Sequence, residues 1–177
     1  MFKTIGIFAH VDGGKTTFSE QLLYKNESIR NLGRVDNQTA FLDCDNIEKE
    51  RGITVFAEQA SFDYNENKYY IIDTPGHTDF SPEAERTMSA LDYAILIING
   101  SDGVQAHTVT LFRLLENYGV PVFIFVNKCD ITGFNIDNTL ESIREKLTED
   151  VLFIDTFEDI SKEENINKYI LNLSNII

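Results

Sequence analysis

Short apolar runs without strict alternation fall near Thr4–Ala9, Val55–Asp63, Lys68–Asp73, Ala94–Asn99 and Val122–Asn127. Runs of this kind suit strands buried on both faces of a parallel sheet, where covering helices remove any need for a polar side. Amphipathic stretches near Lys15–Lys25, Pro82–Leu91, Ala106–Tyr118 and Asp137–Leu147 predict those helices. The alternation predicts an α/β fold of three layers, doubly wound around a mostly parallel sheet. One exception is legible. Phe62-Asp63-Tyr64 and Lys68-Tyr69-Tyr70 flank the polar turn Asn65-Glu66-Asn67, which predicts an antiparallel hairpin at an edge. From Thr148 the pattern weakens into acids and asparagines. Ile160, Ile166, Ile170 and Leu173 keep a roughly helical spacing there, without readable chemistry.

Composition narrows the function classes. The 177 residues, 42% of them hydrophobic, are enough for one domain with a substantial core. Fifteen Lys and Arg against 29 Asp and Glu leave a net charge of -14, which disfavours broad steering toward a phosphate backbone. DNA is therefore not an expected partner, and RNA only through a small local patch. Cys44 and Cys129 show neither a CxxC spacing nor a Cys/His pattern, so reduced thiols are expected. No apolar run approaches the roughly 20 residues of a bilayer span, and the opening MFKTIGIFAH is not a secretory leader. A cytoplasmic protein without membrane association is the expectation.

Two motifs carry chemistry. Ala9-His10-Val11-Asp12-Gly13-Gly14-Lys15-Thr16 fits the phosphate-loop pattern GxxxxGK[ST], with Ala at the first position. A buried strand enters it and a helical stretch leaves it, so backbone N–H groups can turn inward around an anion at a positive helix end. The candidate nucleotide-binding residues are His10, Val11, Asp12, Gly13, Gly14, Lys15, Thr16 and Thr17. Lys15 is expected to reach the β and γ phosphates, and Thr16 to offer its hydroxyl to Mg2+. His10 itself reads as a packed loop residue. The second motif, Asn127-Lys128-Cys129-Asp130, follows a strand. Asp130 can accept both N1–H and N2–H of guanine, Asn127 suits the same polar edge, and Lys128 can lay its stem along the base. Adenine would leave the carboxylate unpaired, which makes GTP and GDP the expected ligands over ATP.

AHVDGGKTT, RGIT, DTPGHTDF and NKCD, in this order, resemble the GTP-binding domain of translation factors of the elongation factor G group. The resemblance spans about residues 3 to 147. Within it, VDGGKTTFSEQLLY, LGRVDNQTAFLD and SDGVQAHTVTLF look most like tetracycline-resistance ribosomal protection proteins. It implies a P-loop NTPase fold and Mg-dependent hydrolysis of GTP, stimulated by RNA of the large ribosomal subunit. It also implies roles. Thr16, Thr54 and Asp73 would hold the metal, Gly76 would contact the γ phosphate, and His77 would orient the attacking water. Lys15, Thr54, Gly76 and His77 are thus the catalytic candidates. Asp12 either helps bind a monovalent cation beside the phosphates or simply caps the loop.

The resemblance divides the chain into a GTP-binding domain over 1–149 and an acidic continuation over 150–177. The short Ser-Ala guanine motif and final strand of such domains are not found in residues 131–177, so a piece of a longer factor is expected, with an exposed edge at Val122–Val126. An alternative of another class is a GTP-bound switch with negligible turnover.

Overall fold

The computed structural model describes residues 2–29, 58–73 and 87–153. They contain five strands, β1 (Phe2–Ala9), β2 (Glu58–Tyr64), β3 (Asn67–Asp73), β4 (Tyr93–Asn99) and β5 (Val122–Asn127), in spatial order β2-β3-β1-β4-β5. β1 runs parallel to β3 and β4, β4 runs parallel to β5, and β2 pairs antiparallel with β3. The three long helices among the described residues are α1 (Lys15–Lys25), α2 (Ala106–Asn117) and α3 (Ile136–Lys146). The mostly parallel sheet with one antiparallel pair is the architecture expected from the apolar pattern.

Alternation along the central strands builds the layers. Ile7 and Ala9 of β1 pack with Ile71, Ile97 and α1's Leu23, while Phe18 and Leu22 flank them. Phe8 points the other way, into a cluster of Ala94, Leu96 and α2's Leu111, Phe112 and Leu115. Ile98 extends that second face to Ile143 of α3, beside Ile124 and Val126. Each fully buried Leu, Ile or Phe side chain is worth roughly 1.5–3 kcal/mol, so the central strands are the most firmly held part of the sheet.

Helix α3 shows how local signals place an element. The Asn135 side chain accepts from the Asn138 N–H at 3.1 Å, Asp137 stands in the first turn, and Arg144 and Lys146 in the last. All three features complement the helix dipole and its unpaired end groups. Lys146 also donates to the Val104 carbonyl at 3.0 Å, tying the helix end to the segment ahead of α2.

The hairpin differs in one detail from expectation. Its turn has two residues, because Asn67 already pairs with Tyr64 in the ladder. Asn65 and Glu66 both take left-handed backbone, φ 45° and 63°, matching the primed turn whose twist suits adjoining strands. Of the expected β2 run, residues 55–57 lie outside the described residues. So do residues 82–86 of the helix expected at Pro82–Leu91, of which Thr87 and Met88 are helical. Residues 154–177, with the apolar tail positions, are outside as well.

Among the described residues no strand lies beyond β5. Phe123 and Phe125 stand 43% and 41% exposed there, with Phe125 resting on Phe18 of α1 at 4.8 Å. Among the described residues no helix is long and apolar enough to cross a membrane.

Asp92 joins the start of β4 to β1. Its carboxylate accepts from the Thr4 backbone N–H at 2.8 Å and from Lys3 Nζ at 3.2 Å. The Thr4 bond first, and Lys3 after it, hold the carboxyl below the usual carboxylate range. The folded group is the stronger acid, so its stabilisation is present above the ordinary carboxylate pKa and is lost as pH falls through the lowered one. Urea midpoints of wild type and Asp92→Asn are expected to converge between about pH 7 and about pH 3. A constant gap over that range would contradict this role.

Candidate functional site

The four parallel strands end on one side of the sheet, where ligands of open α/β sheets lie. β1 ends at Ala9 and opens into the phosphate loop, and β5 ends at Asn127 within the Asn-Lys-Cys-Asp motif. β3 ends at Asp73, whose backbone lies opposite Ile7. The Asp73 side chain, Arg51, Thr54, Gly76 and His77 lie outside the described residues, so the metal and water-orienting assignments made for them are not reached.

The loop's course follows from its glycines. The Gly13 N–H donates to the His10 carbonyl at 2.9 Å, and a Cβ on Gly13 would sit 2.9 Å from that same oxygen. Only glycine permits so close a turn. Gly14, at φ 88°, is the N-cap of α1, which has no side-chain cap and no acid in its first turn. The first N–H groups of α1 and the positive end of its dipole therefore face the loop with no carboxylate in the helix's own first turn to neutralise them. Lys15 is buried at 8% exposure, Thr16 and Val11 are half-buried, and Asp12 and Thr17 are exposed.

The two motifs touch. Asn127 Nδ2 donates to the Gly13 carbonyl at 2.9 Å, and a Cβ on Gly14 would strike the same amide. Asn127 is expected to serve the edge of guanine; one of its two amide protons also serves the loop. The motif's next residues, Lys128, Cys129 and Asp130, run from half-buried to exposed. Partial desolvation, and then the Asp130 carboxylate, push the Cys129 thiol above its ordinary pKa. This free thiol therefore stays protonated at neutral pH.

Five non-glycine residues among those described have left-handed backbone: Asp12, Glu27, Asn65, Glu66 and Lys128. Glu27 closes α1 in a turn where the Ser28 N–H returns to the Leu23 carbonyl at 3.0 Å, and Asn65 and Glu66 make the hairpin. Asp12 and Lys128 remain, one in each motif. Strain of this kind costs on the order of 1 kcal/mol or more and collects at functional sites.

His10 departs from expectation. It is exposed, its Nδ1 lies 2.8 Å from the Val11 carbonyl oxygen, and its ring meets that of His107 edge to face. Neither this pair nor the Asn127–Gly13 bond had a signal in the sequence, since no local pattern reports a contact across 114 residues. Among the described residues no three or more His, Cys, Asp or Glu side chains are grouped to hold a metal ion.

Residues 2–172 match the family described as the elongation factor Tu GTP binding domain. The chain belongs to that family. As an elongation factor Tu-type GTP-binding domain, it is 43% identical over 159 residues to tetracycline resistance protein TetP of Clostridium perfringens, covering 90% of this chain and 24% of the relative. TetM from transposon Tn1545 of Enterococcus faecalis is 45% identical over 148 residues, covering 84% of this chain and 23% of the relative. A crystal structure of a protein from Thermus thermophilus superposes with a TM-score of 0.76 at 30% identity, over 82% of this chain and 22% of that one. The chain thus spans about a quarter of the length of the curated relatives it matches.

The contact between the motifs of this GTP-binding domain is testable by non-additivity. Asn127→Ala is expected to lower unfolding free energy by about 1 kcal/mol through loss of the Gly13 bond. Gly14→Ala should cost more, because its Cβ meets both a left-handed φ and the Asn127 amide. The double variant should cost less than the sum, as the struck group is gone. Additive losses in denaturant titrations would refute the packing described here.

Proposed function

We propose that the chain hydrolyses GTP as the nucleotide-binding domain of a cytoplasmic, ribosome-associated translation factor, with the domain over residues 1–149 and an acidic continuation over 150–177. The observation that carries this reading is the Asn127–Gly13 bond, which joins the Asn-Lys-Cys-Asp motif to the Gly-Gly-Lys-Thr loop at the carboxyl ends of the parallel strands. A base held by Asp130 and phosphates held at Lys15 require that juxtaposition.

In this reading the N–H groups at Gly13, Gly14 and the first turn of α1 receive the phosphates, and Lys15 supplies positive charge to them. Thr16 stands in that first turn, where its hydroxyl oxygen is the hard donor that Mg2+ takes alongside phosphate oxygens; Thr54 and Asp73 complete the protein's share. The ion contributes charge neutralisation at the phosphates when bound. Asp12 is positioned in sequence to favour a monovalent cation beside them. Gly76 and Thr54 sense the γ phosphate, and His77 aligns one water for in-line attack. Transfer of this kind needs mainly positioning and charge stabilisation, so a single oriented ring suffices. With no second arginine beside Arg51 in the candidate motifs, turnover alone is slow, and RNA of the large ribosomal subunit completes the site. The names of the relatives, tetracycline resistance proteins, favour a part in resistance to tetracycline as the role.

Phosphate release from GTP by the full-length protein is expected to rise when ribosomes are added and to lose that rise in His77→Ala. Equal release with and without ribosomes would favour a binding switch with negligible turnover. Asp130→Asn should weaken GTP binding on the order of a hundredfold and improve binding of the xanthine nucleotide, because one of the carboxylate's two acceptors becomes a donor. Undiminished GTP binding in that variant would place the base elsewhere.

A further inference from the structure

The His10 and His107 ring centroids are 6.2 Å apart, with the ring planes at 65°. His10 is the first residue beyond β1 and exposed; His107 is the second residue of α2 and half-buried. A backbone carbonyl can only accept, so the 2.8 Å separation between His10 Nδ1 and the Val11 oxygen requires the proton on Nδ1. The ring is thus fixed at two places, by its Nδ1–H donating to the loop's own carbonyl and by its contact with a ring on a helix that follows a different strand.

The surrounding backbone gives this fixation a consequence. The His10 carbonyl accepts from Gly13 N–H at 2.9 Å, and the intervening Asp12 sits at φ 60°, a conformation non-glycine residues seldom keep unaided. The Val11–Asp12 peptide is the one most free to rotate in such a turn, and rotation would turn a carbonyl oxygen where an anion needs an N–H. A carbonyl engaged by His10 must break that bond to rotate.

We propose that His10 is a positioning residue for nucleotide binding: by donating to the Val11 carbonyl and resting on His107, it holds the entry turn of the phosphate loop in its anion-receiving shape. Loss of either contact speeds nucleotide release and leaves the choice of base unchanged. This rests on the GTP-binding reading above, in which the loop receives the phosphates.

Release of a fluorescent GDP analogue from the full chain, chased with excess GDP, tests it. His10→Ala is expected to release about fivefold faster, the worth of one ordinary hydrogen bond. His10→Asn, whose amide nitrogen reaches roughly where Nδ1 stood, should recover most of the slow release. His107→Leu, which keeps an apolar side chain of similar bulk but no ring, should accelerate release about twofold. The preference for GDP over ADP should match wild type in all three, and thermal midpoints should fall by no more than about 2–4 °C, the worth of one such bond in a domain of this size. Wild-type release rates in His10→Ala or His107→Leu would overturn the proposal, as would release from His10→Asn as fast as from His10→Ala, or midpoints that fall further than that. A wild-type chain that fails to retain the analogue at all would instead overturn the nucleotide reading beneath it.

Discussion

The hydrogen bond from Asn127 to the Gly13 carbonyl is the constraint around which the rest of the candidate site is arranged. A loop with two adjacent glycines loses more backbone entropy on ordering than almost any other segment, so it needs an external hold to keep one shape. Asn127 provides that hold from the end of a strand already paired to β4, a rigid anchor. The requirement runs both ways. Gly14 must lack a Cβ because the amide occupies that space, and Gly13 must lack one because the loop closes on the His10 carbonyl. Residues distant in the chain are thus mutually dependent through one short contact.

The three-layer core makes that contact possible. Alternate residues of β1 and β4 commit to opposite faces, α1 on one side and α2 with α3 on the other, so neither strand can slip by one residue without turning its apolar set outward. The register Asn99 opposite Asn127 follows from the same pairing and brings the end of β5 level with the phosphate loop. At that rim two non-glycine residues, Asp12 and Lys128, hold left-handed backbone, and the packed strands below absorb its cost.

Electrostatics work locally against the global balance. The chain carries a net charge of -14, yet the phosphate loop has an uncapped helix start, no acid in its first turn and the buried Lys15. Screening confines surface fields to about 8 Å at physiological salt, so an anion at the loop responds chiefly to these near groups and little to the distant acids. An acidic domain can therefore receive phosphates while presenting little general attraction to nucleic acid.

Periodicity and turn chemistry by themselves determined the strand set, all three described helices within a residue or two, the hairpin, and the two motifs at strand ends. These are local properties, carried by apolar spacing and by glycine, lysine and acid at fixed intervals. Family membership was legible for the same reason, since four short motifs kept their order. Only the tertiary structure decided which distant residues meet. It gave an Asn127 proton to Gly13, moved His10 from a packed position to an exposed one against His107, shortened the hairpin turn by a residue and put Lys128 in left-handed backbone. Such contacts depend on how the sheet aligns strand ends across the chain, and residues far apart in sequence carry no local mark of the neighbour that folding will bring.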